Sequence, residues 1–182
     1  MGNILILDNC IRFNHSVIIL NSAGDGIIHT RTMPTQIPFS LLPATWRDIR
    51  ALHELEKTCF GEDAWPWIEL IGVLTLPGTV RIKAVVKGEM AGFIAGDNHR
   101  GADVGWILTI GVLPVFRRQG IARALLADCE QQMKVTRVKL SVRRSNQAAI
   151  TLYQKLGYNQ VEVWSKYYHN GEDGLVLEKT IK

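Results

Sequence analysis

From Phe39 onward, apolar and polar positions alternate with regular periods. "FSLLPAT" (39–45) reads as a short strand. In 46–60, Ile49, Leu52, Leu55 and Cys59 recur near helical spacing. Thr45 with Asp48 resembles a capping box in which aspartate stands for the usual glutamate. "WPWIELIGVL" (65–74) predicts a shorter helix stopped before Pro77-Gly78. The β-prone runs "TVRIKAVV" (79–86) and "MAGFIAG" (90–96), joined by "KGE", are a hairpin signal. "VGWILTIGV" (104–112) is a strand ended by Pro114, and a helix follows over 122–133. "RVKLSV" (137–142) has the period of two that marks a strand. A helix from Asn146 to Leu156 ends at Gly157, a natural residue for the position after a helix C-terminus. "NQVEVWSKYY" (159–168) and "GLVLEK" (174–179) are expected as strands around the turn "HNGED".

The predicted order is β-α-α-β-β-β-α-β-α-β-β. An early meander followed by crossovers implies an α/β (α+β mixed) fold, one mixed sheet with helices on both faces. Residues 1–38 follow a different grammar. "NILIL" and "SVIIL" are short runs that would pair as a hairpin, which alone is marginal, and "TRTMPTQIP" reads as an extended linker. The expected organisation is therefore an extension over 1–38, to which no role is assigned, and one domain over 39–182.

Composition adds limits. The 182 residues fit one domain with a core plus a tail, and 47% hydrophobic with 21% charged residues is ordinary for a globular chain. A net charge of +4 suits either a solvated basic surface or an anionic ligand. The three cysteines, Cys10, Cys59 and Cys129, are odd in number and lack metal-ligand spacing, which suggests reduced thiols in a cytoplasmic protein and no metal site. Cys129 falls on the apolar side of its helix, a packing position. No apolar run approaches a membrane span, and the N-terminus makes a poor signal peptide.

The stretch "VFRRQGIARALLADC" (115–129) carries the first chemistry. Cations at a helix start oppose the helix dipole, so Arg117 and Arg118 there anticipate a negative partner. Gly120 allows a backbone conformation closed to other residues and leaves room for a ligand, and Ala122 keeps the first turn open. The free amides of that turn then suit a diphosphate, with the two arginines adding charge-assisted hydrogen bonds. The plainer alternative is a polar turn before a surface helix. Neither a Walker A loop nor a dinucleotide fingerprint is present. Gly111, inside a strand, marks a bulge or a close backbone approach.

Downstream, "LSVRRSNQAAITLYQKLGY" places Asn146 at a helix start and Tyr153 seven residues later. With R-x-x-G-x-A and the element order, the chain resembles the GNAT superfamily of acetyl-CoA-dependent N-acetyltransferases over about Phe39 to Lys179. Within it, "VRRSNQAAITLYQKLGY", "KYYHNGEDGLVLEK" and "CFGEDAWPW" are similar to protein N-terminal acetyltransferases, in particular the bacterial enzymes acting on the N-terminal alanine of a ribosomal protein. The resemblance implies acetyl-CoA as cosubstrate. Ile110, Gly111 and Val112 would pair with its pantetheine arm. Arg118, Gln119, Gly120, Ile121, Ala122 and Arg123 would hold its pyrophosphate, with Arg117 beside them. Asn146 would contact it, either in addition to or instead of capping the helix. Tyr153 would be the general acid that protonates the departing thiolate. Ser141 stands where these enzymes usually carry a glutamate or histidine base, a role serine cannot take at neutral pH.

Other residues have two readings. Arg137, Lys139, Arg143 and Arg144 form either a solvated face or a contact with the cofactor's 3′-phosphate; no aromatic interleaving or motif points to nucleic acid. Tyr167 and Tyr168 either line the acceptor channel or alternate along a strand. Trp65 and Trp67 are expected in the core rather than at the substrate. His169 and Glu172, in a loop, are candidates for a water-relayed proton. Without a strong base, an amine of low pKa is the easier acceptor, which predicts a protein or peptide N-terminus. A small-molecule amine acetyltransferase and a non-catalytic acyl-CoA-binding sensor are the alternatives; Tyr153 argues against the sensor.

Overall fold

Alternation of inward and outward positions in the strands, and stripes on the helices, close a single mixed sheet between two helical layers. The computed structural model describes residues 37–98 and 103–181; the runs expected to pair within 1–36 lie outside them. The elements are β1 (Ser40–Pro43), α1 (Ile49–Phe60), α2 (Trp67–Thr75), β2 (Thr79–Val86), β3 (Glu89–Asp97), β4 (Val104–Val112), α3 (Ile121–Met133), β5 (Arg137–Arg143), α4 (Gln147–Lys155), β6 (Asn159–Trp164) and β7 (Gly174–Thr180). This is the order the sequence predicts. Short 3-10 turns stand at Trp46–Asp48, Gly61–Asp63 and Pro114–Phe116.

The seven strands lie in the order β1-β2-β3-β4-β5-β7-β6. Every neighbouring pair is antiparallel except β4 and β5. A parallel pair needs a crossover, and α3 supplies it. The hairpin between β2 and β3 turns on Lys87 (φ +49°) and Gly88 (φ +88°), the two positive angles of a type I′ turn. Asp48 accepts the Thr45 backbone N–H at 2.8 Å, as the capping pattern predicts, and also binds Lys83 Nζ at 2.6 Å on β2.

Each face of the sheet carries its own core. Ile107, Ile110 and Val112 of β4 and Leu140 and Val142 of β5 pack with Leu125, Leu126, Cys129, Ile150 and Tyr153 of α3 and α4. Leu52, Leu55, Cys59, Phe60, Leu70 and Val73 of α1 and α2 pack with Phe93 and Tyr168 on the other. Trp65 joins this second core. Trp67 does not: it is 46% exposed and stacks on His53 at 4.0 Å, because the first turn of α2 faces outward. Glu130 of α3 accepts from Tyr158 Oη at 2.8 Å and Lys179 Nζ at 2.6 Å, which ties α3 to the end of α4 and to β7.

The strand expected over 159–168 stops at Trp164. Lys166 takes φ +52°, the chain turns, and Tyr167 and Tyr168 follow in a loop rather than as alternating strand residues.

Candidate active site

The sheet opens where β4 and β5 part. Their pairing covers only Val104–Trp106 with Arg137–Lys139, although β4 runs on to Val112 and β5 to Arg143. Leu113 N–H donates to the Ala91 carbonyl at 2.9 Å, and Gly111 stands opposite Phe93. By the alternation of an antiparallel ladder, the amides and carbonyls of Ile110 and Val112 therefore turn away from β3, toward the gap. An extended chain carrying amides, such as a pantetheine arm, finds backbone partners along that edge. Arg117 turns back on it, with Nε donating to the Val112 carbonyl at 3.0 Å.

Gly111 marks a close approach, not a bulge. A Cβ there would lie 2.9 Å from Leu55 Cδ2 and 3.4 Å from Cys59 Sγ and Phe60 Cε2, so α1 packs directly on the β4 backbone. The register shift between β3 and β4 falls instead at Ala95/Gly96.

Past the end of β4, Arg118 (φ +72°) and Gly120 (φ +82°) both take left-handed backbone. That winding brings the loop onto the first turn of α3. Ala124 N–H makes the first helical bond, to the Gly120 carbonyl at 3.0 Å, and no side chain caps the helix. The amides of Ile121, Ala122 and Arg123 thus have no acceptor within the helix. A Cβ on Gly120 would meet nothing within 4 Å, so the space beside the helix start is open at that residue. Arg118 and Arg123 are exposed and Gln119 and Ala122 half-buried; Gln119 Oε1 accepts the Ile37 N–H at 3.3 Å. Left-handed turns and free helix amides beside a guanidinium fit a diphosphate.

On the same face as this loop, α4 starts at Asn146, whose Oδ1 accepts the Ala149 N–H at 2.9 Å. The capping role is therefore present. Tyr153 is fully buried, with its ring edge-on to Tyr158 at 5.7 Å between centroids. It shares its core with Ile110 and Val112, the residues lining the gap.

The opposite face is polar where the strands part. Leu140 and Val142 point to the α3–α4 core, so Ser141 and Arg143 point to the α1 side by the period of two. Ser141 is fully buried. Burial pushes the Tyr168 phenol up, opposed by its neighbours Ser141 and Arg143. Nearby on α1, the buried Glu56 accepts from the Thr109 hydroxyl of β4 at 3.2 Å and from Trp65 N–H at 3.5 Å.

The basic cluster divides: Arg137 and Arg144 keep solvated side chains, whereas Arg143 is buried. Arg137 and Lys139 both pair with Glu178, and Arg144 pairs with Asp173. Arg143 is 4% exposed and bridges Asp63 and Glu172 at 2.8 Å each. Burial would raise the Glu172 carboxyl, but hydrogen bonds from Ser145 and Arg143 outweigh it and hold Glu172 below the usual range. Glu172 is thus a structural anion here, and the exposed His169 is the other loop residue. Burial, with Glu130 and Asp128 adding to it, raises the Cys129 thiol to about 12, so Cys129 is packing. Among the described residues no group of histidines, cysteines and carboxylates could hold a metal, and no helix is long and apolar enough to cross a membrane.

Asp63 lies within "CFGEDAWPW", but nothing local signals its pairing with Arg143, and Glu56 and Thr109 carry no mark in the sequence. A lone carboxylate in a loop and a helix glutamate look solvated until the fold places the first on Arg143 and the second on β4.

Residues 46–158 match the acetyltransferase (GNAT) family. The chain is 31% identical to the N-terminal acetyltransferase A complex catalytic subunit NAA10 of Arabidopsis thaliana, over 76% of each protein. It is 30% identical to the ribosomal protein bS18 alanine N-acetyltransferase of Salmonella typhimurium, over 75% of this chain and 88% of that one. The crystal structure of the corresponding Escherichia coli enzyme superposes with a TM-score of 0.73 at 26% identity, covering 80% of this chain and 95% of that one. The family match from residue 46 to 158 and the similarity to named N-terminal acetyltransferases, on a sheet that opens between β4 and β5, lead to one conclusion: the chain belongs to the acetyltransferase (GNAT) family and is an acetyl-CoA-dependent N-acetyltransferase.

Proposed function

We propose that the acceptor is the N-terminal α-amine of a protein or peptide. The observation that carries this reading is the buried hydroxyl of Ser141 on the acceptor face of the gap, where a strong base would be needed for a high-pKa amine. An α-amine has a pKa of about 8 and a lysine amine of about 10.4. Deprotonation at pH 7 then costs roughly 1.4 kcal/mol for the first and about 4.6 kcal/mol for the second, at ~1.36 kcal/mol per unit. Water can take the first proton; the second needs a dedicated base. The activities named for the relatives, including a ribosomal-protein alanine N-acetyltransferase, agree with this choice.

In the reaction, the neutral amine attacks the thioester carbonyl carbon. The Val112 N–H, turned to the gap, stabilises the developing oxyanion. As the C–S bond breaks, Tyr153 gives its proton to the leaving thiolate and is reprotonated from solvent, while the amine's excess proton leaves through water. Arg117, Arg118, Gln119, Gly120, Ile121, Ala122 and Arg123 hold the diphosphate, and Ile110 and Val112 the pantetheine arm; Gly111, expected beside them, pairs with β3 instead. Asn146 adjoins the cofactor at the start of α4. Residues 39–182 form the catalytic domain, with 1–38 as an extension, in a cytoplasmic protein.

The test is acetylation with labelled acetyl-CoA of a peptide panel differing in the first two residues, run beside free small-molecule amines. The expected result is turnover that depends strongly on the N-terminal residues. Equal turnover of free amines and all peptides would move the assignment to a small-molecule acetyltransferase.

A further inference from the structure

Arg143 is the last residue of β5, on the acceptor face, two residues beyond Ser141. Its guanidinium gathers two segments that are distant in sequence. Nη2 donates to Asp63 Oδ2 at 2.8 Å, in the turn before α2. Nη1 donates to Glu172 Oε2 at 2.8 Å and Asn170 Oδ1 at 3.0 Å, between β6 and β7. Its central carbon lies 4.0 Å over the Tyr168 ring. The β6–β7 side is braced further: Glu172 Oε1 accepts the Ser145 N–H at 2.8 Å, and the Asp173 carbonyl accepts the Arg144 N–H at 3.2 Å.

A buried ion pair of this kind is a poor source of net stability, because desolvation consumes most of its attraction. What a planar fork with fixed donors does supply is geometry. Asp63 and Glu172 lie 80 and 29 residues from Arg143 in sequence, yet one side chain fixes both. The two segments flank the acceptor side of the gap. The cluster sets two carboxylates, Asp63 and Glu172, against one guanidinium.

We propose that Arg143 is a positioning residue: it latches the turn before α2 to the loop between β6 and β7, and so sets the acceptor site that receives the peptide's N-terminus. This rests on the α-amine reading above. The latch acts on acceptor affinity and leaves the donor side, across the sheet at α3 and α4, untouched.

The experiment uses the full chain with Asp63→Asn, Arg143→Lys and Arg143→Met. Asp63→Asn removes one arm while keeping the buried guanidinium paired with Glu172, so it guards against a variant that fails to fold. Peptide KM, kcat and the dissociation constant of coenzyme A are measured for each. Asp63→Asn should raise peptide KM about tenfold or more with coenzyme A binding within twofold. Arg143→Met should exceed it, Arg143→Lys should fall between, and the double variant Asp63→Asn/Arg143→Met should equal Arg143→Met alone. Amide hydrogen exchange without substrate should quicken in 61–65 and 166–173 together in Asp63→Asn. An unmoved peptide KM in Asp63→Asn, equal losses on donor and acceptor sides, or exchange that quickens in 61–65 alone would each overturn the latch. Absence of wild-type turnover on every peptide, with coenzyme A still bound, would instead overturn the α-amine reading, and the exchange measurement would still decide the latch.

Discussion

Replacing Gly120 by alanine separates two costs that are usually mixed. The Gly120 backbone sits at φ +82°, where a side chain costs roughly 1–2 kcal/mol. The added Cβ meets nothing within 4 Å, so no packing strain joins that cost in the free protein. The thermal midpoint should therefore fall by about 3–8 °C and no more. Binding is another matter. The methyl group enters the open space at the start of α3, beside the proposed diphosphate site. Losing two hydrogen bonds to a charged group, at about 1.5–3 kcal/mol each, amounts to roughly 3 kcal/mol or more. That is over ~100-fold in Kd at about 1.4 kcal/mol per tenfold. Calorimetry with coenzyme A and with a pantetheine fragment lacking the diphosphate reads the difference. Only coenzyme A should weaken. Wild-type affinity for coenzyme A in Gly120→Ala, or an equal loss for the fragment, would place the diphosphate elsewhere.

Three further outcomes follow from the same geometry. Tyr153→Phe keeps the fully buried ring and removes the proton, so turnover should fall about 10²–10⁴-fold, the usual contribution of general acid catalysis, with donor affinity held; wild-type turnover under rate-limiting chemistry would remove Tyr153 from the reaction. Ser141→Ala should change the rate less than tenfold, and log rate should rise with pH at a slope near one below the acceptor's pKa; a hundredfold loss would mean that Ser141 holds the proton-accepting water. Burial alone would raise the Asp48 carboxyl, but Lys83 and Thr45 outweigh it and hold it below its ordinary value. The unfolded chain, with an ordinary aspartate pKa of about 3.9, then takes this proton first as pH falls, so the Asp48 contribution is complete above that pH and lost below it. Melting followed from pH 6 to 2 should show a shallower acid limb in Asp48→Asn, and an unchanged limb would show that the Asp48–Lys83 pair does not couple to folding.

The sheet and the starts of α3 and α4 were legible because their signals are local. Alternation over 104–112, Gly120 at the helix start and Asn146 as a cap each act within a few residues, and each was found where expected. The acceptor side was not. Arg143 looks solvated in a run of cations because its partners Asp63 and Glu172, 80 and 29 residues away, meet it only in the folded chain. Tyr167 and Tyr168 continue the apparent strand pattern of β6, yet Lys166 at φ +52° turns the chain, and the alternation cannot show that. Trp67 reads as core by its size, but the burial of α2 is carried by Leu70, Val73 and Leu74.

A peptide bearing a free α-amine and one internal lysine tests the central claim most directly. It is incubated with acetyl-CoA and the full chain at pH 7, and tandem mass spectrometry locates the acetyl group. The two amines differ by about 2.4 pKa units, so with Ser141 at the position where a base would stand, the α-amine should be modified about 100-fold faster or more. Modification of the lysine at a comparable or greater rate would contradict the account.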